Sequence, residues 1–378
     1  MGMIRDFGFY MPTEVVFGKG VVDRIGEIAV GWGRRALVVT GRRSARASGA
    51  LARVEASLSE AGVTCILFDR VTPNPSIELV AEGAGVARDA EADLIVAIGG
   101  GSPMDAGKAM AICATNEGSA RDYFGVKTYA RPPLPILAIP TTAGTGSEVT
   151  EYAILTDLQS KDKKSLASPA IFPKVALADP ELTCSMSPEI TVDTGIDALT
   201  HAVESYLANR ATALSDALAL ESMRIIRRSL KRAWEDGGDV DARGELLYGS
   251  MLAGMAIAQT GTTMLHAMGY PLTVFHGIAH GRANGILLPY VLAFDRVSAP
   301  EKVGRIAEIF GGTLEDVRDF EEEMGLSTDL SEALPEPDAL DEMTDHVMRT
   351  KNLANNPRPV VRADVEAIWQ RALCRSLG

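Results

Sequence analysis

Nothing in this chain of 378 residues is spaced to build a disulfide framework or a structural zinc site. Its cysteines, Cys65, Cys113, Cys184 and Cys374, are scattered and form no CxxC pair. They read as reduced thiols in a reducing compartment. Positive charge is in deficit too, 37 Lys and Arg against 50 Asp and Glu, a formal net charge of −13. That argues against a nucleic-acid partner, which needs a basic face. It leaves small anions open, because a helix N-terminus binds them even in an acidic protein. Long apolar runs are missing, and one of the longest, MLAGMAIA at 251–258, is too short to span a bilayer. The N-terminal MGMIRDFGFYMPTEVVFG has no apolar signal core followed by a small-residue cleavage site. No internal repeat or low-complexity tract occurs. These absences lead us to expect a soluble cytoplasmic protein with no membrane partner.

Histidine is scarce as well, with five in the chain, and four of them, His201, His266, His276 and His280, fall between 201 and 280. Asp197 and His201 stand four apart in DALTHAVESY, a helical stretch that puts both on one face. His266 and His280 lie in HAMGYPLTVFHGIAHG, where Gly269, Pro271, Gly277 and Gly281 break the periodicity. One carboxylate and three imidazoles suit a divalent transition metal with an open coordination position. Spacing alone also allows ordinary structural histidines.

With 46% hydrophobic and 23% charged residues, the chain is long enough for two domains. In the first half, strand-like runs at 35–41 (RALVVTG), 63–69, 93–101 and 135–142 alternate with helical stretches. This alternation predicts a mostly parallel sheet with helices on both faces. From about Pro188, segments of period 3.6 take over at 190–210, 212–235, 241–260, 283–295, 300–310, 314–324, 338–352 and 363–376. FPKVALADPELT at 172–183 reads as the connection between the two. The expected architecture is α/β, with a Rossmann-like parallel-sheet domain over 1–185 and an all-helical domain over 186–378.

Two loops carry phosphate-binding chemistry. IGGGSPMDAGKAM at 98–110 follows a strand and opens a helix. Gly99, Gly100 and Gly101 admit a close backbone approach, while Ser102 and the helix N-terminus supply donors for a pyrophosphate. The third glycine of the usual GxGxxG is replaced by Met104. PTTAGTGSE at 140–148 offers Thr141, Thr142, Thr145 and Ser147 after another strand. Two such loops place a nucleotide at the carboxyl ends of the sheet. The turn VVTGRRSAR carries Gly41, Arg42, Arg43 and Arg46 where an acid would hold an adenosine ribose 2′-hydroxyl. Room and positive charge there predict NADP over NAD.

GGGSPMDAGK, PTTAGTGSEVT, GIDALTHAVESY, the His266–His280 segment and NNPRP at 355–359 occur in order along nearly the whole chain. With these motifs the sequence resembles the iron-containing alcohol dehydrogenases, a family grouped with glycerol dehydrogenase and dehydroquinate synthase. The resemblance implies a dinucleotide-binding domain, a helical domain, and an active site with a metal, Fe²⁺ by likeness although Zn²⁺ binds such ligands more tightly. It makes Asp197, His201, His266 and His280 the metal ligands. Pyrophosphate contacts fall on Gly99, Gly100 and Ser102, with Asp105 beside them, and the second cofactor loop on Thr141, Thr142, Thr145 and Ser147. Asn74 matches a position near the adenosine, and Lys163 (or its neighbour Lys164) a lysine beside the cofactor. Tyr152 and Ile257 fall near substrate. Many members carry a further histidine four residues after the third ligand. Tyr270 stands there instead, so Tyr270 and His276 become the candidates for proton handling. Glu204, one turn beyond His201, reads as a local pairing residue or an outer partner of the metal site.

The implied reaction is hydride transfer between NADP(H), or NAD(H), and a small alcohol or aldehyde, in a homodimer. The alternatives are a non-redox lyase of the dehydroquinate synthase type and a catalytically silent nucleotide-binding protein.

Overall fold

The computed structural model describes residues 6–159, 162–334 and 339–377. The first five residues of the N-terminal stretch considered above, and the first residue of the helix expected over 338–352, lie outside these. The chain forms two compact units, one of residues 11–186 with 237–247, the other of residues 6–10, 187–236 and 248–377.

The first unit is built on eight strands: β1 Glu14–Phe17, β2 Arg35–Gly41, β3 Thr64–Val71, β4 Leu94–Gly99, β5 Ile136–Pro140, β6 Tyr152–Asp157, β7 Asp162–Ala167 and β8 Val175–Ala178. Six pair in parallel in the order β1-β8-β5-β4-β2-β3. β6 and β7 form a separate antiparallel hairpin. Helices of nine residues or more are numbered here. Those of this unit are α1 Ala50–Glu60, α2 Ile77–Asp89 and α3 Gly101–Thr115.

Alternate side chains of the central strands feed two separate cores, as the period of two requires. Leu37, Val39, Ile95 and Ile136 pack with α2 and α3 on one face. Val38, Leu94, Val96, Ile98, Leu137 and Ile139 pack with α1 on the other. Coverage on both faces explains why β4 and β5 read as unbroken apolar runs. From β2 the chain runs outward to β3, then returns to β4 on the opposite side of β2. This reversal leaves a crevice at the carboxyl ends of β2 and β4, where the Gly41 and Gly99–Gly101 turns lie.

The segment 172–183 corrects the sequence reading, because it contains β8 rather than only a connection. All four β8 residues are buried, and four residues between prolines are too few to show a period. β1 and the β6–β7 hairpin also went unread, being short or half-buried strands.

No strand occurs among the described residues after Ala178. The helices here are α4 Pro188–Leu207, α5 Ala213–Glu235, α6 Val240–Thr260, α7 Met264–His276, α8 His280–Asp295, α9 Pro300–Phe310, α10 Leu314–Glu322, α11 Leu340–Met348 and α12 Arg362–Leu373. α4 starts at a Ser187 cap whose side chain accepts from the Ile190 backbone, with Pro188 in the first helical position. α7 is a second correction, since it runs helically through Gly269 and Pro271 and stops at Gly277 in the left-handed conformation. Eight of its thirteen residues are buried, and packing of this kind overrides unfavourable propensity. No described helix is long and apolar enough to cross a membrane.

Candidate active site

In the helical unit, the side chains singled out by spacing converge. Asp197 and His201 project from one face of α4, and His266 comes from the first turn of α7. One ligand atom from each of these three lies within 4.8 Å of the others, and all three residues are buried. His201 and His266 stack with ring centroids 4.7 Å apart. His266 Nε2 is 3.8 Å from Asp197 Oδ1. His280, the first residue of α8, stands slightly wider, its Nε2 4.0 Å from the same oxygen. Burial pushes the Asp197 carboxyl up, but the facing His201, His280 and His266 outweigh it and hold it below 3.8.

Glu204 lies beneath this cluster, buried. Its Oε1 accepts from Thr263 N at 2.8 Å, Thr263 Oγ1 at 2.9 Å and His266 N at 3.1 Å. Its Oε2 meets His266 Nδ1. A carboxylate can only accept, so the bond requires a proton on Nδ1, and in the neutral ring this leaves Nε2 bare toward Asp197. Asn284, one helical turn after His280 on α8, escaped the sequence reading. Its Nδ2 donates to Asp197 Oδ1 at 3.2 Å and lies 3.3 Å from His266 Nε2 and 3.5 Å from His280 Nε2. The His280–Asn284 spacing of four was the signal that could have found it.

Two glycines taken as periodicity breakers prove to be spacers. A Cβ on Gly269 would stand 1.9 Å from Asn284 Oδ1, and one on Gly281 would stand 1.8 Å from the Asp193 carbonyl oxygen. They let α8 close on α7 and α4. Asp193 is paired with Arg282 at 2.9 Å.

Tyr270 stacks on His280 with centroids 5.4 Å apart and planes 4° from parallel, and meets His266 edge-on at 6.3 Å. His276 ends α7, ten residues after His266, a separation of about 15 Å along the helix axis. It is not part of the cluster. Ile257 is buried on α6. His346 is partly covered and meets Phe275 edge-on at 6.2 Å.

In the α/β unit, the two loops interlock at the strand ends. Thr141 N donates to Gly99 O at 2.9 Å. Gly99 has φ +147, and a Cβ there would lie 2.6 Å from Pro103 Cγ. Cβ atoms on Gly100 and Gly101 would meet Thr142 Oγ1 at 3.0 Å and Thr145 Cγ2 at 2.9 Å. Close helix–sheet packing, which Met104 cannot provide, is supplied by Gly107, whose Cβ would stand 3.1 Å from that of Ala97. Asn74, with φ 54, donates its backbone N–H to Ser102 Oγ at 3.2 Å. The buried Thr141 Oγ1 has no hydrogen-bond partner among the described residues. Backbone N–H groups at the start of the fifteen-residue α3, with these hydroxyls around them, fit a pyrophosphate.

Asp105 is engaged by protein. Its Oδ1 accepts from Ser147 Oγ at 2.8 Å and its Oδ2 from Ile154 N at 3.0 Å, and enclosure pushes its carboxyl up. Lys163 on β7 pairs with Thr156 of β6, and Tyr152 begins β6. At the end of β2, Arg42 and Arg43 are exposed after Gly41, while Arg46 is paired with Asp69 at 2.9 Å.

Two family models match successive parts of the chain. The family model for iron-containing alcohol dehydrogenase matches residues 12–180, and that for the Fe-containing alcohol dehydrogenase family, C-terminal, matches 191–373. A 1,3-propanediol dehydrogenase of Klebsiella pneumoniae is 35% identical over 384 residues, covering 97% of this chain and 99% of its own. A crystal structure of an iron-containing alcohol dehydrogenase is 42% identical with a TM-score of 0.89, covering 98% and 99% of the two chains. That of sulfoacetaldehyde reductase from Bifidobacterium kashiwanohense, in complex with NAD⁺, is 31% identical with a TM-score of 0.89, covering 98% and 99%. On these grounds the chain belongs to the iron-containing alcohol dehydrogenase family.

Proposed function

We propose that this oxidoreductase interconverts a small primary alcohol and its aldehyde with NADP(H), using a divalent metal held by Asp197, His201, His266 and His280. The observation that carries the proposal is the buried convergence of Asp197, His201 and His266, with His280 Nε2 4.0 Å from Asp197. Three imidazoles and one carboxylate suit Fe²⁺ or Zn²⁺. When bound, the metal supplies Lewis acidity to the alcohol oxygen and the nicotinamide carries the hydride.

This chain's own residues do the rest. Glu204 keeps the proton of His266 on Nδ1, and Asn284 holds Asp197 by a hydrogen bond. Gly99, Gly100 and Ser102, with Thr141, Thr142, Thr145 and Ser147, cradle the phosphates, while Asn74 and Lys163 flank the dinucleotide. Asp105 acts from behind, by holding Ser147. Gly41 with the exposed Arg42 and Arg43 favours a 2′-phosphate over a free ribose hydroxyl. Tyr270, stacked on His280, lines the place where the alcohol proton leaves, by way of water, the ribose hydroxyls or His276. Tyr152 and Ile257 shape the substrate's surroundings. We place the protein in the cytoplasm, as a homodimer, with the chain's division near residue 186.

Anaerobic metal analysis of the purified protein, followed by NADPH- and NADH-dependent reduction of a panel of aldehydes, tests the reading. Metal at one equivalent with net consumption of reduced cofactor supports it. Metal-replete protein without turnover across the panel overturns it.

A further inference from the structure

Lys108 is the eighth residue of α3 and is fully buried, although it belongs to neither the phosphate turn nor the metal cluster. Its ammonium sits among five oxygens of one stretch of chain. It lies 2.6 Å from Ser147 O, 2.9 Å from Ser147 Oγ, 2.9 Å from Thr150 O, 3.3 Å from Thr150 Oγ1 and 2.8 Å from Tyr152 O. Three N–H bonds cannot point at five acceptors, so the group is held as a point charge among oxygens, as a bound monovalent cation would be.

We infer that Lys108 is a built-in cation that positions the second cofactor loop on the helix carrying the first. The loop running from Thr141 to Glu151 belongs to no strand, and the short 3₁₀ turn Ser147–Val149 is the regular element within it. The ammonium gives the carbonyls of Ser147, Thr150 and Tyr152, the last at the start of β6, a shared charged donor, tying three points of this stretch to one atom of the helix. Asp105, one turn earlier on α3, takes the Ser147 hydroxyl from the other side. Ser147 is therefore clamped between two α3 residues, and the placement of Thr145 and Ser147 depends on that clamp. The buried charge is balanced by Asp105 and Glu148, with Glu151 also facing it. Burial lowers the Lys108 ammonium to about 8 and raises the Glu148 carboxyl to about 7.

Lys108 is thus a positioning residue for the dinucleotide. The inference rests on the cofactor reading above, and binding by the unaltered protein tests that reading separately. NADPH fluorescence titration of the unaltered protein and of Lys108→Ala gives the comparison. The expected result is a rise in Kd on the order of ten-fold, the equivalent of losing one hydrogen bond to a charged group. Metal content should stay unchanged, and NH₄⁺ or K⁺ should restore the affinity where tetramethylammonium does not. A purely structural lysine would lower thermal stability and metal content together and show no cation-selective rescue of binding. Equal Kd values for the two folded proteins, or a loss that no small cation repairs, overturns the inference. Thr150→Val removes one contact and serves if Lys108→Ala does not fold. It should weaken binding in the same direction by a smaller factor, and an unchanged Kd would count against the clamp.

Discussion

Replacing Glu204 by Gln tests how the helical unit prepares the proposed metal ligands. The carboxylate is buried and accepts from Thr263 N, Thr263 Oγ1, His266 N and His266 Nδ1. Gln keeps the shape and one carbonyl oxygen, so the three bonds to Oε1 can survive. The atom facing His266 then becomes an amide nitrogen, which donates. Two donors cannot face each other, so the ring moves its proton to Nε2, the nitrogen that faces Asp197. A protonated Nε2 has no lone pair for a metal. Loss of an outer partner of this kind costs roughly 10- to 100-fold in metal affinity, about 1.4 to 2.7 kcal/mol. Zn²⁺ and Co²⁺ titrations against a competing chelator measure it, and melting of the metal-free proteins shows whether the fold is kept. Equal metal affinity in the unaltered protein and in Glu204→Gln, both folded, would refute the reasoning.

Other outcomes follow from the same geometry. Gly41→Asp should move kcat/KM from NADPH toward NADH, because an acid at the end of β2 repels a 2′-phosphate and binds a ribose hydroxyl; comparable values for the two cofactors in the unaltered protein would remove the basis for the NADP assignment. Gly281→Ala puts a Cβ 1.8 Å from a backbone oxygen of α4, so it should lower stability by about 1–3 kcal/mol and release metal; an unchanged melting temperature contradicts the packing. Glu321 is buried with no hydrogen-bond partner for either oxygen among the described residues, and burial, with Glu322 adding to it, raises its carboxyl well above 4.5. The unfolded chain then loses this proton at a lower pH than the folded one, so stability falls as pH rises above 4.5 until the folded group also ionises. Glu321→Gln should flatten that slope and raise the melting temperature more at pH 8 than at pH 5, whereas parallel profiles would show that Glu321 is not the source. His276→Ala should lower kcat with metal content intact, and an unchanged kcat takes His276 out of proton transfer.

How far the sequence could be read depended on whether a feature was local. β2 was legible because Ala36, Leu37, Val38 and Val39 alternate between two apolar cores in an unbroken run. The Gly99–Gly101 turn was legible as the passage from strand to helix because three consecutive glycines follow a buried apolar run. β8 was not, since four buried residues carry no period, and α7 was not, since its favourable burial comes from distant residues that override Gly269 and Pro271.

The sequence by itself determined the class of the protein, through ordered motifs and a scarcity of histidine that made four of them conspicuous. It could not say which partner sets each ligand, because a tautomer depends on a neighbour across space. Glu204 lies 62 residues from His266, and Asn284 lies 87 from Asp197. Tertiary structure also reversed the meaning of two glycines. Gly269 and Gly281 look like helix breakers in the chain, but in the fold they are the places where three helices come close enough to bring the carboxylate and imidazoles together. Close approach of backbones is decided only by packing, and packing is not written in any single stretch of sequence.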